Sequence, residues 1–438
     1  MKQFSQNIRK MIIEDILKLI SIKSFTNTVG IRNCQFEIAK IAKKLGFDTC
    51  LKGYNRVLVI EPKGASSTPE LGVITHLDTV PFNENEWTHN PLGEISGDRI
   101  FGRGVVDDKS AIILALYAFY LLKDSIRPTW QILVGSCEEG KWLDMQAYLE
   151  EGHKLPKFSI TIDGDGIQNG CKGYLDLELS FSRNSLSKNN HVTRNISEFY
   201  VPNSSNNTIP EKAITIVNGT KLEAIGISAH SSIPQDGKNA IILLAKKIQE
   251  KYNISEFNGF FKLMNILEQS NNAVRLGFTP RPVSYLSQFC GFTIVSPTNC
   301  ELKNDNLIVN LNFRILPGTS VDEIKGVIRK IGFNFDCRCL VREFKLPSYI
   351  SPFSKEIVIL KEAYQYVLKR TVSPTIANGI GYNAVFPNCV IFGPRFSIED
   401  DEIDTCHAID ENRKIDDLFK FFQMLTIFIK KYIPVSDN

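Results

Sequence analysis

The chain has 438 residues, of which 43% are hydrophobic and 23% are charged. That composition is typical of a globular protein with a large core, and the length favours two domains. Lysine and arginine total 51 against 48 for aspartate and glutamate, and the charges are interspersed rather than gathered into basic runs. The charge pattern therefore argues against a nucleic-acid partner.

The N-terminal segment predicts an amphipathic helix. Its apolar residues recur at helical spacing, but charged residues such as Arg9, Glu14 and Lys18 interrupt them, unlike the apolar core of a signal peptide. No segment approaches the roughly 18 uncharged apolar residues that a membrane span requires. The ten cysteines are scattered, with Cys337 and Cys339 as the one close pair, so we expect reduced thiols. We therefore predict a soluble, cytoplasmic protein without a membrane partner.

Up to about residue 170 the chain alternates short β-rich segments with helical ones. Apolar strands are predicted near residues 56, 71, 130 and 158, and a long apolar helix is predicted from Ser110. This alternation indicates an α/β layer with helices on the faces of a sheet.

From about residue 174 to 346 the pattern changes to that of antiparallel strands, as in YLDLELSFS, KAITIV and LIVNLNFRI. Helices are predicted over about 237–252 and 320–331, and an Asn/Ser-rich loop over about 185–208. After residue 350 a helix, the strand CVIFG and a terminal helix from Ile415 resume the first pattern. We predict a discontinuous α/β domain, residues 1–173 and 347–438, with residues 174–346 inserted as a second domain.

Polar motifs follow several of the predicted strands. His76 and Asp78 stand at i and i+2 where a strand ends, so both project from one face at the sheet edge. Alone, they would read as a surface or capping pair. Asp107 and Asp108 open the long apolar helix, and either could simply cap it.

Two more strands end in acidic residues. Glu138 and Glu139 follow one strand directly, and like charges there repel unless a cation or solvent relieves them. A solvated turn is the alternative. Asp163 follows the next strand within a Gly-rich turn, and His407 lies in a loop before the last helix, where a solvated histidine is common.

The conjunction of these motifs favours a metal centre. Carboxylate and imidazole ligands suit zinc, manganese or cobalt. Two ions about 3.5–4 Å apart that share a carboxylate can polarise a carbonyl and ionise a water together. Such a centre needs about five ligands and one free base, which is what the motifs supply.

With these residues in view, the chain resembles the co-catalytic metallopeptidase family of aminoacylases, acetylornithine deacetylase and succinyl-diaminopimelate desuccinylase. Within that family it is most similar to bacterial broad-specificity dipeptidases and carnosinases. The resemblance covers nearly the whole chain, through THLDTVP, EWTHNPLG, GRGVVDDKS, EEGKWLDM, GISAHSSIPQDGKNAI, NFRILPGTS, VFPNCVIFGP and the His407 loop. It implies a phosphorylase/hydrolase-like catalytic domain, with a mixed sheet flanked by helices, and an inserted α+β lid domain.

The resemblance also implies roles at the metal centre. The ligands would be His76 and Asp163 for one ion, Glu139 and His407 for the other, and Asp107 bridging both. Asp78 would orient His76, and Glu138 would act as general base and later as proton donor. The cofactors would be two divalent ions, Zn²⁺ foremost, with Mn²⁺ or Co²⁺ as alternatives. The Asp107–Asp108 peptide is expected to be cis.

Further residues match substrate-binding positions of the family. His230 would steady the oxyanion, Arg314 would bind the substrate's C-terminal carboxylate, and Asn207 and Gly379 would contact the substrate. The chain departs from the family pattern at several positions, which are Ser110, Cys137, Ile380, Gly381 and Ala384.

The predicted activity is metal-dependent hydrolysis of dipeptides. N-acyl amino acid deacylation at the same centre is the alternative, and a catalytically inactive binding protein with this fold is a third hypothesis. The insert of about 170 residues is longer than the lid that pairs subunits in many relatives. The predicted partner is therefore only a small dipeptide, and the protein is predicted to be a monomer.

Overall fold

The computed structural model describes residues 5–65, 68–183, 195–254, 256–280, 291–393 and 405–435. The helices are α1 (Gln6–Ile20), α2 (Val29–Lys44), α3 (Lys109–Leu122), α4 (Leu143–Glu150), α5 (Ala240–Lys251), α6 (Asn258–Gln269), α7 (Val321–Phe335), α8 (Lys355–Leu368) and α9 (Ile415–Tyr432). The strands are β1 (Asp48–Lys52), β2 (Val57–Glu61), β3 (Leu71–His76), β4 (Glu94–Ser96), β5 (Arg99–Phe101), β6 (Trp130–Gly135), β7 (Phe158–Thr161), β8 (Ile167–Cys171), β9 (Gly173–Ser182), β10 (Ile196–Tyr200), β11 (Thr208–Ile209), β12 (Lys212–Val217), β13 (Thr220–Ile225), β14 (Ala229–His230), β15 (Ile294–Lys303), β16 (Asn306–Ile315), β17 (Arg338–Lys345), β18 (Ser348–Tyr349), β19 (Thr375–Ala377), β20 (Cys389–Phe392) and β21 (Asn412–Lys414).

The chain divides into two compact units. The first unit comprises residues 1–170, 350–375 and 381–438, and the second comprises residues 171–349 and 376–380. The short excursion at 376–380 had no counterpart in the sequence prediction. The catalytic and lid roles assigned to the two parts of the chain stay predictions.

The first unit is built on a mixed sheet in which the strands follow the order β1-β2-β6-β3-β7-β20-β8. Four central strands, in the order β6-β3-β7-β20, run parallel to one another. The flanking pairs β1/β2, β2/β6 and β20/β8 are antiparallel. This arrangement confirms the predicted α/β class.

Helix α3 lies at the centre of the first unit's core. Its sequence KSAIILALYAFYLL is apolar on every side, and a helix of that kind is stable only when it is surrounded by protein. It packs against α1, α9 and β3, and nearly all of its residues are buried. The helix therefore fixes the residues at its N-terminus, Asp107 and Asp108, against the end of β3.

The order of the parallel strands places the polar motifs together. Strand β3 lies between β6 and β7, and all three run in the same direction, so their carboxyl ends share one edge of the sheet. His76 ends β3, Glu138 follows β6, and Asp163 follows β7. In open α/β sheets, binding and catalytic sites form at the carboxyl ends of the strands.

The second unit contains an antiparallel sheet with the order β15-β16-β9-β17 and a smaller sheet with the order β10-β12-β13. Helices α5, α6 and α7 pack around its core, with α6 in contact with both α5 and α7. The sequence analysis missed α6, although its apolar residues recur at helical spacing.

Strand β10 lies inside the segment predicted as an Asn/Ser-rich loop, because its ISEFY sequence pairs with β12. Residues 185–194 of that predicted loop lie outside the described residues. None of the described helices combines the length and the apolar character that crossing a bilayer requires.

Candidate metal centre

His76 and Asp107 meet at the edge of the sheet. Both side chains are buried, and His76 Nε2 lies 2.7 Å from Asp107 Oδ1. The peptide bond between Asp107 and Asp108 is cis, as the family resemblance implied. Asp107 directs one carboxylate oxygen at the imidazole that ends β3.

The second oxygen of Asp107 faces a different group of side chains. Asp107 Oδ2 lies 3.2 Å from His407 Nε2, and it accepts a hydrogen bond of 3.0 Å from Cys406 Sγ. His407 Nε2 also lies 2.8 Å from Glu139 Oε1. One carboxylate thus connects two sets of potential ligands, which is the arrangement a bridging ligand requires.

The described residues offer two groups of side chains that fit a metal ion. One group is His76, Asp107 and Asp163, and the other is Asp107, Cys406 and His407; within each, the ligand atoms all lie within 4.8 Å of one another. Carboxylate and imidazole donors in such proximity suit divalent zinc, manganese or cobalt. The two groups share Asp107, so the residues fit a pair of ions.

Asp78 supports both sides of this centre. Its fully buried carboxylate accepts backbone hydrogen bonds from Glu138 at 3.1 Å and from Glu139 at 3.2 Å, and a further bond of 2.8 Å from Thr26 Oγ1. His76 Nδ1 lies 2.9 Å from the Asp78 carbonyl oxygen and 3.4 Å from its carboxylate. Asp78 therefore orients the imidazole mainly through its backbone, and its carboxylate holds the glutamate pair in place.

The electrostatics of the centre are those of crowded, buried acids. Burial lowers the pKa of His76, but the neighbouring Asp107 and Asp78 carboxylates outweigh burial and raise it well above 6.5. Burial raises the pKa of Glu138 well above 4.5, and the negative charges of Asp163, Asp107 and Glu139 add to that rise. Excess negative charge of this kind is relieved by cations.

Asp108 does not cap helix α3 with its side chain. The residue stands at the N-cap position without a side-chain cap hydrogen bond. Its fully buried carboxylate instead accepts hydrogen bonds from the Thr75 hydroxyl and from the backbone N–H of His76 at 3.4 Å. Burial raises the pKa of Asp108 well above 3.8. The carboxylate braces the end of β3 rather than the helix.

A second buried acid, Asp144, holds the turn that carries the glutamates. It accepts backbone hydrogen bonds from Ser136 at 2.6 Å and Cys137 at 3.1 Å, and another from the Tyr382 hydroxyl. The Tyr382 ring also packs edge-on against His76, with ring centroids 6.4 Å apart. Sequence reasoning missed both residues because 238 positions separate them.

Gly381, next to Tyr382, lies directly behind the proposed base. A Cβ atom added to this glycine would lie 2.9 Å from Glu138 Oε1. In the sequence, Gly381 stands out only as a departure from the family pattern. The structure gives the glycine a reason, because a larger residue would displace the Glu138 carboxylate.

The His407 loop is held by a buried ion pair. Arg103 donates to the Glu411 carboxylate at 2.6 Å and to the carbonyl oxygens of His407 and Ala408, each at 3.1 Å. Glu411 also accepts backbone hydrogen bonds from Val106 at 2.8 Å and from Asp107 at 3.3 Å. The pair ties the His407 loop to Asp107. Sequence reasoning missed it, since a buried Glu411 looks no different from an exposed acid in a turn.

In the second unit, Arg314 and His230 contact two adjacent serines. Arg314 is 4% exposed, donates to Ser231 Oγ at 3.2 Å and places its guanidinium carbon 5.1 Å from the centre of the Tyr174 ring. Among the described residues, no carboxylate forms a salt bridge with it. Burial and the Arg314 charge lower the pKa of His230, whose Nδ1 lies 2.6 Å from Ser232 Oγ.

Asn207 belongs to this neighbourhood. Its carbonyl oxygen accepts a hydrogen bond of 2.8 Å from the Ser231 N–H, and the next residue, Thr208, pairs with His230 across β11 and β14. Its side-chain oxygen accepts from Ser205 at 2.7 Å. Gly379 lies in the short 376–380 excursion, where an added Cβ would meet no atom within 4 Å.

Known proteins resemble the chain along nearly its whole length. A β-Ala-Xaa dipeptidase of Lactobacillus delbrueckii subsp. lactis is 25% identical over 465 aligned positions, which cover 95% of each chain. A succinyl-diaminopimelate desuccinylase of Hydrogenovibrio crunogenus is 25% identical and is matched over 93% of this chain and 95% of its own.

Solved structures share the fold. The aminoacylhistidine dipeptidase of Vibrio alginolyticus has a TM-score of 0.63 at 14% identity, with 97% of this chain and 96% of that chain covered. Human carnosine dipeptidase 1 has a TM-score of 0.59 at 12% identity, with the same shares covered. The sequence model of peptidase family M20/M25/M40 matches residues 72–431, a span that contains every side chain of the two candidate ligand groups. The chain therefore belongs to peptidase family M20/M25/M40, whose members use divalent metal ions.

Proposed function

We propose that the protein hydrolyses dipeptides that carry a free C-terminal carboxylate, with two divalent metal ions as cofactors. The observation that carries this proposal is the shared use of Asp107 by two groups of ligand side chains. Family membership supports peptide-bond hydrolysis, and the relatives named as dipeptidases support a dipeptide substrate.

Five side chains are proposed to hold the ions. His76 and Asp163 would bind one ion, Glu139 and His407 would bind the other, and Asp107 would bridge them. Zn²⁺ is the proposed metal, with Mn²⁺ and Co²⁺ as alternatives, because imidazole and carboxylate donors accept all three. When bound, such a pair polarises the scissile carbonyl and lowers the pKa of a water to near 7.

Glu138 is proposed as the general base. It would take the proton of the attacking water and then deliver it to the leaving amine. Asp78 supports this role because its carboxylate holds the backbone N–H groups of both Glu138 and Glu139. The turn that carries Glu138 is therefore held by Asp78 at two backbone N–H groups.

His230 and Arg314 are proposed to bind the substrate, together with Asn207 and Gly379. The lowered pKa of His230 keeps its ring neutral near pH 7, so it can donate a hydrogen bond to a developing oxyanion. Arg314 is buried without a carboxylate partner among the described residues, and a bound carboxylate would supply one.

The proposal is tested with a substrate panel. Purified protein is assayed with Zn²⁺, Mn²⁺ or Co²⁺ on unblocked dipeptides, the same dipeptides with amidated C-termini, and N-acetylated amino acids. We expect turnover of unblocked dipeptides and much weaker turnover of the amides. Preferential cleavage of N-acetyl amino acids would show a deacylase, and a protein that binds metal but cleaves none of the three would be an inactive relative.

We further propose that the active protein is a monomer, on the basis of the long insert, and that it is cytoplasmic. Mixing Glu138→Ala protein with His230→Ala protein tests this, because two subunits that share a site would restore activity. No restoration, with a monomer-sized elution profile at the assay concentration, is the expected result. Recovered activity would mean that His230 serves the centre of another subunit.

A further inference from the structure

Cys406 lies among the side chains of the proposed metal centre but has no role in the family resemblance. Its Sγ donates a hydrogen bond of 3.0 Å to Asp107 Oδ2. That same oxygen lies 3.2 Å from His407 Nε2, which in turn lies 2.8 Å from Glu139 Oε1. Ligand atoms of Asp107, Cys406 and His407 therefore lie within 4.8 Å of one another, and the Glu139 carboxylate contacts the His407 nitrogen.

The loop geometry brings adjacent side chains to the same side. In an extended segment, the side chains of Cys406 and His407 would point to opposite faces. His407 has a φ of 61°, in the left-handed region, and this turn lets both side chains face Asp107. The arrangement does not depend on the loop alone, because Arg103 holds the carbonyl oxygens of His407 and Ala408.

Asp107, which accepts the hydrogen bond from Cys406, is held in place as well. Glu411 accepts from Arg103 and from the backbone N–H groups of Val106 and Asp107, and its carboxylate is fully buried. The position of Cys406 Sγ above Asp107 Oδ2 is thus set by a buried ion pair that holds both partners. Ligand positions set in advance by outer interactions are a general feature of metal sites.

We propose that Cys406 Sγ is a direct ligand of the metal ion bound by Glu139, His407 and Asp107. The inference rests on the proposed function, since it requires that the centre binds metal. On binding, the thiol proton passes to solvent and the sulfur–metal bond forms in its place. The ion would then have four protein ligands, two oxygens, one nitrogen and one sulfur.

This ligand set makes the two metal positions unequal. A zinc site with four protein ligands is closed, whereas a catalytic site keeps three protein ligands and one open position. The group of His76, Asp107 and Asp163 has three. An open position would then remain at the group of His76, Asp107 and Asp163, and the group with Cys406 would hold its ion without one. A thiolate ligand also favours zinc over manganese, because sulfur is a soft donor.

The test uses the full-length protein loaded with Co²⁺. A cysteine thiolate bound to cobalt gives a ligand-to-metal charge-transfer band in the near ultraviolet, which oxygen and nitrogen ligands do not give. We expect the band in wild-type protein and its loss in Cys406→Ser. Cys137→Ser is the matched control and should keep the band: Cys137 adjoins Glu138, but its sulfur faces Gly140, where an added Cβ would lie 2.8 Å from it.

A second measurement compares the affinities of the metal sites for Zn²⁺ and Mn²⁺. Cys406→Asp keeps a ligand but removes the sulfur, so this variant should still bind two ions while its preference for Zn²⁺ over Mn²⁺ narrows at one site. In Cys406→Ser we expect the Zn²⁺ affinity of one site to fall by at least the roughly 10- to 100-fold that outer-shell changes cause. Competition with a chromophoric chelator measures both affinities.

The outcomes separate this inference from the proposed function. Wild-type protein that binds two cobalt ions and cleaves dipeptides without the band would overturn the role of Cys406 and leave the function standing. The same holds if Cys406→Ser keeps the band. Wild-type protein that binds no cobalt would overturn both.

Discussion

The two units place their polar side chains in opposite electrostatic settings. In the first unit, Asp107 contacts His76 on one side and His407 on the other, and buried acids surround them. In the second, Arg314 is buried, and among the described residues its guanidinium contacts the Ser231 hydroxyl and the Tyr174 ring. The first setting has an excess of negative charge, and the second has a positive charge without a carboxylate partner in the part of the chain that the structure describes.

The difference indicates what each group of residues is suited to bind. Buried acids that crowd together are stabilised by cations, and a buried guanidinium without an acid is stabilised by an anion. Cleavage of a dipeptide by a metal-activated water requires metal cations at the amide bond. It also requires a positive side chain that binds the C-terminal carboxylate. The comparison therefore predicts that substitutions in the first unit affect kcat and those at Arg314 affect KM.

The largest effect is expected at Glu138. Glu138→Gln keeps the size of the side chain and removes the base, so kcat should fall about 10²- to 10⁴-fold. Metal content, measured by elemental analysis, should stay at the wild-type level because the residue is a base and not a ligand. Glu139→Gln is the matched control, in which one of the two ions should be lost. Loss of metal from Glu138→Gln instead would show that the two glutamates have been assigned the wrong way round.

A smaller effect, of a different kind, is expected at Arg314. Arg314→Met keeps the apolar stem packed and removes the charged head, so KM for unblocked dipeptides should rise while kcat changes little. A hydrogen bond to a charged group contributes about 1.5–3 kcal/mol, which corresponds to a loss of roughly 10- to 150-fold in kcat/KM. C-terminally amidated dipeptides provide the comparison.

Amidated dipeptides should be affected little by the Arg314→Met change, since they lack the carboxylate that the arginine binds. An Arg314→Lys variant should recover part of the affinity, because it keeps the charge but loses the planar pair of donors. If wild-type protein and Arg314→Met show the same preference for free over amidated C-termini, Arg314 does not bind the carboxylate.

The sequence was sufficient to predict those parts of the centre that follow from sheet geometry. His76 ends a strand, and Glu138 and Asp163 come shortly after strands. Parallel neighbours bring their carboxyl ends together, so a shared edge could be expected from the pattern. The joining of Asp107 to His407 required the family resemblance, because nothing in a loop histidine shows which helix it approaches.

The supporting contacts could not be predicted, because they join distant parts of the chain. Arg103 and Glu411 are 308 positions apart, and Asp144 and Tyr382 are 238 apart. Each pair is defined by burial, and a sequence does not show which of several polar residues in a loop is buried. Cys406 was overlooked for a related reason, since its neighbour His407 explained the motif by itself.

Gly381 offers a sharper test of how closely the first unit is constrained. Its φ of −133° and ψ of −159° suit alanine, so Gly381→Ala should not reduce the free energy of unfolding. The added methyl would, however, lie 2.9 Å from Glu138 Oε1 and displace the carboxylate. We expect kcat to fall about tenfold, below the roughly 10²-fold that a misplacement of 1 Å can cause.

Gly326→Ala is the matched control for Gly381→Ala. Gly326 lies in helix α7, where an added Cβ meets nothing within 4 Å, so the variant should keep wild-type kcat. Full activity in Gly381→Ala would mean that Glu138 has room to move without loss of function, and that the base is less tightly positioned than its surroundings indicate.

The smallest effect is expected in the second unit, where the charge of Arg314 acts on His230. Burial lowers the pKa of His230, and the nearby guanidinium lowers it further. Arg314→Gln removes that charge, so the pKa of His230 should rise and the ring should become protonated at a higher pH than in wild-type protein. Arg314→Lys keeps a cation and should leave the pKa of His230 below 6.5.

The chain has six histidines, so an NMR pH titration can follow each ring, with His230 assigned from a His230→Gln variant. Identical titration midpoints in wild-type protein and Arg314→Gln would show that the two side chains are not electrostatically coupled. A midpoint that rises only in Arg314→Gln would show that the Arg314 charge acts on His230 within the second unit.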